Sequence, residues 1–261
     1  MNIEIIDPSR AEKFCNLFQH VKLFTNNVNI TFYEDRMYLQ TMDSSRVSIF
    51  EIYLPNEWFN TYDYTHSEPI ILGVNADILF KVLNTRDKQQ SLQLVFDPDQ
   101  SDKLIIHFVS DNKTIFDKHF EIPLMEIDID TLEIPVFESD ADIMIPSSKF
   151  AEIINQLQIF GDTIEFKCTE ELIQLCSISS ESGKMMADID IDELTSYSIT
   201  EDNTMNISFS LSRLHNICMY NKISKEVEIL LTDNYPMKIT YQLDEDDAKM
   251  VFYLAPKMSD D

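Results

Sequence analysis

The sequence predicts an α+β protein in which two similar domains each pack two helices on antiparallel sheets. Three observations carry this. Short segments alternate apolar and polar residues with period two, as half-buried strands do. Helical-period apolar stripes interrupt them near Phe14, Leu79, Ile153 and Leu214. These stripes recur at intervals of about 60–75 residues, marking an internal repeat of one helix-plus-strands unit. Helices gathered on one side of antiparallel sheets give the α+β class.

The first helix is expected over 9–25, where Ser9 can cap, Glu12 stands three residues on, and Phe14, Leu17, Phe18 and Val21 form a stripe. Strands follow at 28–33, 37–41 and 46–54, the last two joined by the polar turn Asp43, Ser44 and Ser45. A second helix spans 75–84, with Ile78, Leu79, Val82 and Leu83 at helical spacing, and strands return at 91–96, 103–109 and 114–122. After Pro123 the pattern breaks into an acidic stretch with a further proline, Pro135. Residues 123–140 therefore read as a connector across the surface, dividing a domain 1–122 from a domain 141–261. The second half repeats the programme. A strand at 141–145 runs into a helix opened by Pro146, Ser147 and Ser148, with the stripe Phe150, Ile153, Ile154 and Leu157. Strands at 163–168, 172–177, 184–191 and 205–210 precede a helix at 211–221 bearing Leu214, Ile217 and Cys218. Strands at 226–232, 237–243 and 248–254 end the pattern.

A chain of 261 residues, 44% of them hydrophobic, has the material for a substantial core. Asp and Glu number 46 against 20 Lys and Arg, a formal net charge of -26. That charge repels nucleic acid and anionic lipid at long range. Affinity for DNA normally comes from neutralised phosphates, so a role on DNA must rest on something other than attraction by the whole surface. Cys15, Cys168, Cys176 and Cys218 form no CxxC pair, and the first residues carry no secretory signal. Reduced thiols in a soluble, intracellular chain are the expectation. No apolar run approaches membrane-spanning length.

The three glycines, Gly73, Gly161 and Gly183, are isolated, so no phosphate-cradling loop is present. His20, His66, His107, His119 and His215 show no metal-binding spacing, and His107 reads as a solvent-facing or hydrogen-bonded strand residue. Asp188, Asp190 and Asp192 alternate with Ile189 and Ile191, which puts carboxylates on one strand face, an arrangement able to hold Mg²⁺ as in nucleases. In so acidic a chain the simpler reading of these residues is a solvated face. With no Ser–His–Asp or Cys–His arrangement evident, no catalytic site, metal or cofactor is expected.

The hairpin segment LQTMDSSRVS, Leu39–Ser48, resembles the LQxMDxSxVS segment of the proliferating cell nuclear antigen family, the sliding clamps of eukaryotic and archaeal replication. Further blocks are similar in the same order. They are Gly73-Val74-Asn75 before Phe80-Lys81-Val82-Leu83, the connector with Leu132-Glu133-Ile134-Pro135, Pro146-Ser147-Ser148-Lys149-Phe150, and the tail Tyr253-Leu254-Ala255-Pro256-Lys257. The resemblance implies the DNA-clamp fold and a binding scaffold rather than an enzyme. It implies a homotrimeric ring, placed by a clamp loader around double-stranded DNA without regard to sequence. The ring would tether DNA polymerase and other replication and repair proteins, in the nucleus, or at a cytoplasmic replication site for a viral or archaeal member. No membrane partner is implied. A ring that holds DNA by topology also reconciles the acidic surface with a role on DNA.

Carried over by position, Lys22 and Lys81 would face DNA, with Lys13 and Arg213 as neighbours. Glu152, Asn155 and Met219 depart from the basic residues common in the family at such positions. Met42, Val47 and Ile49 would floor a groove for partner peptides. Leu132 and Ile134 would form one wall, and Pro236, Tyr253, Leu254, Ala255 and Pro256 the other. Without the resemblance, Met42, Val47 and Ile49 read as core filling. Segments 114–122 and 184–190 would be edge strands pairing head to tail between subunits, with Phe120 and Met186 at the junction. Rival readings are a checkpoint-type clamp subunit, a viral processivity factor of different stoichiometry, a metal-dependent nuclease using the Asp188–Asp192 carboxylates, and an acidic interaction module with no DNA role.

Overall fold

The computed structural model describes residues 1–97, 102–128, 131–244 and 247–257. The chain forms two compact units. The first comprises Met1–Ser44, Glu51–Leu132 and Leu243–Met250; the second comprises Ser45–Phe50, Glu133–Gln242 and the chain from Val251 onward. Among the described residues no helix is long and apolar enough to cross a membrane.

The first unit begins with β1 (Asn2–Ile5), α1 (Pro8–Leu17), β2 (Asn27–Phe32), β3 (Arg36–Met42) and β4 (Ser48–Pro55), the last entering it at Glu51. It continues with β5 (Thr61–Asp63), β6 (Ile70–Asn75), α2 (Ala76–Leu83), β7 (Ser91–Val95), β8 (Lys103–Val109) and β9 (Lys118–Pro123). One sheet has the order β5-β1-β7-β8-β9, and β4-β3-β2-β6 are neighbours in another. Burial alternates strictly along β2 and β3, placing Val28, Ile30, Phe32, Met37 and Leu39 inside. The helical stripe Phe14, Leu17, Phe18 and Val21 is buried as well. Trp58 ends a 3-10 turn with no exposure, edge-on to Phe59 at 5.2 Å, and its Nε1–H donates to Asp244 Oδ2 at 2.8 Å. Asp244 also receives Lys13 Nζ at 2.6 Å.

The second unit holds β10 (Ala141–Pro146), α3 (Ser147–Leu157), β11 (Thr163–Cys168), β12 (Leu172–Ser179), β13 (Gly183–Asp190), β14 (Ser196–Ile199) and β15 (Met205–Ser210). Then come α4 (Leu211–Cys218), β16 (Glu226–Leu231), β17 (Met237–Gln242) and β18 (Lys249–Leu254), the last entering this unit at Val251. The sheet orders are β13-β12-β11-β15 and β14-β10-β16-β17-β18. Phe150, Ile154 and Leu157 on α3 and Leu211, Leu214, Ile217 and Cys218 on α4 are buried, where the two helices pack together.

Several expected boundaries shift. The first helix stops at Leu17 and is capped by Asp7, whose Oδ1 accepts the Arg10 N–H at 2.8 Å, so Ser9 lies inside the helix. Pro8 at the first helical position loses no intrahelical bond there. The stripe survives past Leu17 because a 3-10 turn, Val21–Leu23, keeps Val21 inward. The strand expected from residue 46 starts at Ser48, because Arg46 turns the chain at φ 59. The strand expected from residue 114 starts at Lys118, since Asn112 caps a turn by accepting the Thr114 N–H. Four strands, β1, β5, β6 and β14, were not expected; at three to six residues they offer little alternation to read. Asp192 leaves the strand of Asp188 and Asp190: the ladder ends at Asp190, whose side chain caps the next turn through the Asp192 N–H at 3.0 Å.

Replacing Trp58 by Ala should remove both the largest buried side chain of the first unit and its hydrogen bond to Asp244. A loss of about 3–5 kcal/mol is expected, read as a lower urea midpoint for the full chain. A midpoint within error of wild type would contradict this packing.

Candidate functional site

The hairpin of β3 and β4 buries Thr41, Asp43 and Ser48 and leaves Met42, Val47 and Ile49 partly or wholly at the surface. Leu39 and Thr41 are buried and Met42 only partly so; beyond the turn, Ser48 and Phe50 are buried while Val47 is 36% exposed and Ile49 half-buried. Met42, Val47 and Ile49 therefore do not fill the core; Leu39, Phe50 and Ile52 do. In the second unit Val47 shares backbone with the tail, its C=O accepting the Ala255 N–H at 2.9 Å. The tail continues along β15, through a bridge between Phe209 and Pro256 and the Lys257 N–H donated to Ser208 O at 2.7 Å. Tyr253, Ala255 and Pro256 are half-buried and Pro236 is exposed in the turn before β17. Leu254 has no exposure, so it belongs to the core face of β18. Ile134 is half-buried, and nearby chain of the same unit stacks Phe137 on Tyr235 at 4.0 Å.

In the first unit the connector is pinned to the outer face of β6, β2 and β3. Met125 bridges Gly73, its N–H reaching Gly73 O at 2.9 Å. Asn29 Nδ2 donates to Ile127 O at 3.0 Å. The Gln40 amide holds Leu132 from both sides, donating to its C=O at 2.9 Å and accepting its N–H at 2.7 Å. Leu132 stays 43% exposed under this clamp. Sequence reading missed Gln40, Asn29 and Gly73. The available signal was that Gln40 and Asn29 occupy outward positions of strands whose alternate residues are apolar. Gly73 is needed sterically: a Cβ there would stand 2.1 Å from Met125 O.

The cations divide into two kinds. Lys22, in the 3-10 turn, and Lys81, in the last turn of α2, are exposed and share Asp77, at 3.6 and 2.6 Å. The hydrogen bond from Lys81, with further pull from Lys22, holds the Asp77 carboxyl below its ordinary range. Lys13 is turned inward to Asp244 and to Leu243 O, both at 2.6 Å. Arg213 Nη2 donates to Ser45 Oγ at 2.5 Å. Glu152 and Asn155 are exposed on α3.

β9 and β13 each form the outer edge of a sheet. Phe120 has the parity of buried Ile122 and packs on Phe108 at 5.7 Å, whereas Met186 has the parity opposite to buried Ile189 and is 49% exposed. The two thus lie on different faces of their sheets. His119 faces His107 across the β8–β9 ladder, with Nδ1 atoms 2.5 Å apart; burial, then the charge of His119, lowers the His107 pKa. All four cysteines are free thiols, and burial pushes Cys168 up to about 12. Among the described residues no three His, Cys, Asp or Glu side chains gather as a metal site.

Family profiles match the chain almost end to end: the proliferating cell nuclear antigen N-terminal domain over residues 9–132 and its C-terminal domain over residues 133–257. The chain belongs to the proliferating cell nuclear antigen family. It is 29% identical over 255 residues to the proliferating cell nuclear antigen of Saccharomyces cerevisiae, covering 96% of each chain. Against that of Chaetomium thermophilum it is 28% identical over 245 residues, covering 92% of this chain and 93% of the relative. The family is that of the non-enzymatic DNA sliding clamps, and the chain is a sliding clamp and processivity factor of DNA replication and repair. Family membership implies DNA, polymerase and other clients as partners in a ring assembly.

Gly73→Ala should lift the connector from β6. Overpacking of about 1–3 kcal/mol corresponds to roughly 5- to 150-fold faster hydrogen exchange at the Met125 amide. Amides of β7 and β8 should be unaffected. Unchanged exchange at Met125 would mean that the crossing does not depend on glycine.

Proposed function

We propose that the chain acts as a homotrimeric ring in the nucleus, loaded onto duplex DNA by a clamp loader, with domains 1–122 and 141–261 joined by the connector 123–140. The observation that carries this reading is the pair of open edges, β9 and β13. Open edges invite strand addition, and head-to-tail pairing of two different edges closes a ring when the rotation is right. In a sheet continued from β9 into the next subunit's β13, Phe120 meets the packed face of β13, and Met186 stands on the outer face on the side of His119 and Glu121. Phe120→Ala and Met186→Arg should each reduce assembly, seen as a lower mass at low micromolar concentration. Wild-type mass for both would remove these edges from the junction.

Clients would dock where Val47, Ile49, Ile134, Pro236, Tyr253, Ala255 and Pro256 present apolar surface with backbone groups of the tail, and where Met42 and Leu132 do so in the first unit. An anchored helical turn with flanking extended chain suits such a surface. Ile134→Ala or Tyr253→Ala should weaken a QxxI/LxxF/YF/Y-type peptide by about tenfold or more, at intact mass, in isothermal titration. Equal binding by both variants would eliminate the groove as drawn.

Lys22 and Lys81 are the DNA-facing pair in this proposal, with Lys13 and Arg213 held back by their own contacts. Asp77 offsets one of the two exposed charges, so the grip on phosphate is modest and retention is topological. Replacing both lysines by Glu should shorten retention on circular DNA, most at low salt where the lost contacts are least screened, and flatten its salt dependence, with assembly unchanged. An identical salt profile would place them elsewhere.

A further inference from the structure

The two units repeat one design, and pairing registers align them. In the first unit β2 sets Asn29 opposite Gly73 and Ile30 opposite Leu39. In the second, β16 sets Glu228 opposite Met144 and Ile229 opposite Ile239. β6 and β10 each lead directly into a helix that starts three residues after Gly73 and Met144 respectively. Met144 thus stands where Gly73 stands, Glu228 where Asn29 does, and Thr240 where Gln40 does.

In the first unit this face is covered. The connector crosses at Gly73, Asn29 and Gln40, leaving a gap of only about 40 Å³. The equivalent face of the second unit carries an open cleft of about 380 Å³ lined by Met144, Lys225, Glu226, Glu228, Thr240 and Gln242. Thr240 is 8% exposed, and its buried Oγ1 has no hydrogen-bond partner. Among the described residues the Glu228 carboxylate has neither a hydrogen bond nor an ion pair, while Glu226 accepts one bond, from Thr195 Oγ1 at 2.6 Å.

We infer that this cleft on β10, β16 and β17 binds an extended, basic segment of a partner protein. The chemistry of the substitutions identifies the occupant. Asn29 donates to a carbonyl of the connector, whereas Glu228 in its place, like Glu226 beside it, only accepts, so the ligand must bring donors: a guanidinium, an ammonium or backbone N–H groups. Lys225 cancels one of the two carboxylates, leaving an excess negative charge that selects a cationic segment. A buried hydroxyl without a partner costs free energy that a peptide group in the cleft would recover. At Met144 the backbone bridge is taken by the chain entering β14, the Met144 C=O accepting the Thr195 N–H at 2.9 Å, and the Met144 side chain supplies an apolar floor. An extended peptide satisfies both demands at once, because alternate residues point to opposite sides: aliphatic side chains meet Met144 while arginines between them meet the carboxylates.

The test uses the full chain with ¹³C-methyl methionine and the probe acetyl-Leu-Arg-Leu-Arg-Leu-amide. The Met144 methyl signal, assigned with Met144→Leu, should shift saturably. The acidic analogue acetyl-Leu-Glu-Leu-Glu-Leu-amide should not move it, and Glu228→Gln should weaken the basic peptide roughly five- to tenfold. Absence of a saturable shift at roughly millimolar probe overturns the inference. So does equal response to the acidic analogue or in Glu228→Gln, since the response would then be unspecific. A Met144 shift caused by removing the residues after Lys257, with no probe present, would assign the cleft to the chain's own tail and overturn it equally.

Discussion

An antiparallel sheet with helices on one face leaves its other face to be dealt with, and most of what this chain does follows from that constraint. The inward residues of β2 and β3 are ordinary core-formers. The outward ones carry the specific chemistry: Asn29 and Gln40 as amide clamps, and past the turn Val47 and Ile49 as an apolar surface. Period-two geometry separates the two tasks completely, so a folding requirement and a binding requirement occupy one strand without conflict.

The same constraint explains how an acidic protein serves on DNA. Exposed lysines are scattered over strands and loops, but Lys22 and Lys81 stand together beside α2 around Asp77. Enclosure then replaces attraction, and the net charge of -26 ceases to be an obstacle. Lys13 shows the opposite economy: a basic side chain at a helix surface is spent on holding Asp244 beside Trp58.

The class, the repeat and most elements were legible because each rests on local periodicity. Phe14 and Leu17 on α1, Phe150, Ile154 and Leu157 on α3, and Leu214, Ile217 and Cys218 on α4 are buried as the pattern marked, while Ile153 is only half-buried. What local pattern does not contain is long-range partnership. The amide clamp joins Gln40 to Leu132, and the bridge joins Gly73 to Met125, pairs that no window along the chain brings together. Short strands such as β5 exist only because a neighbouring edge receives them. Leu254 was assigned to the groove with its neighbours, although alternation along β18 turns its side chain inward; the resemblance supplied the segment but not the facing of each residue.

The first unit takes in Leu243–Met250, with Ala248 and Met250 fully buried and Asp244 bonded to Trp58. This has a consequence for biosynthesis. The first 132 residues leave the ribosome without the piece that completes their core, and the tryptophan waits for an acceptor that follows the bulk of the second unit. Folding of the first unit therefore finishes only after Leu243–Met250 has been synthesised, so the nascent protein carries an incomplete first core while the second unit is made, a period in which protection by chaperones has its greatest value.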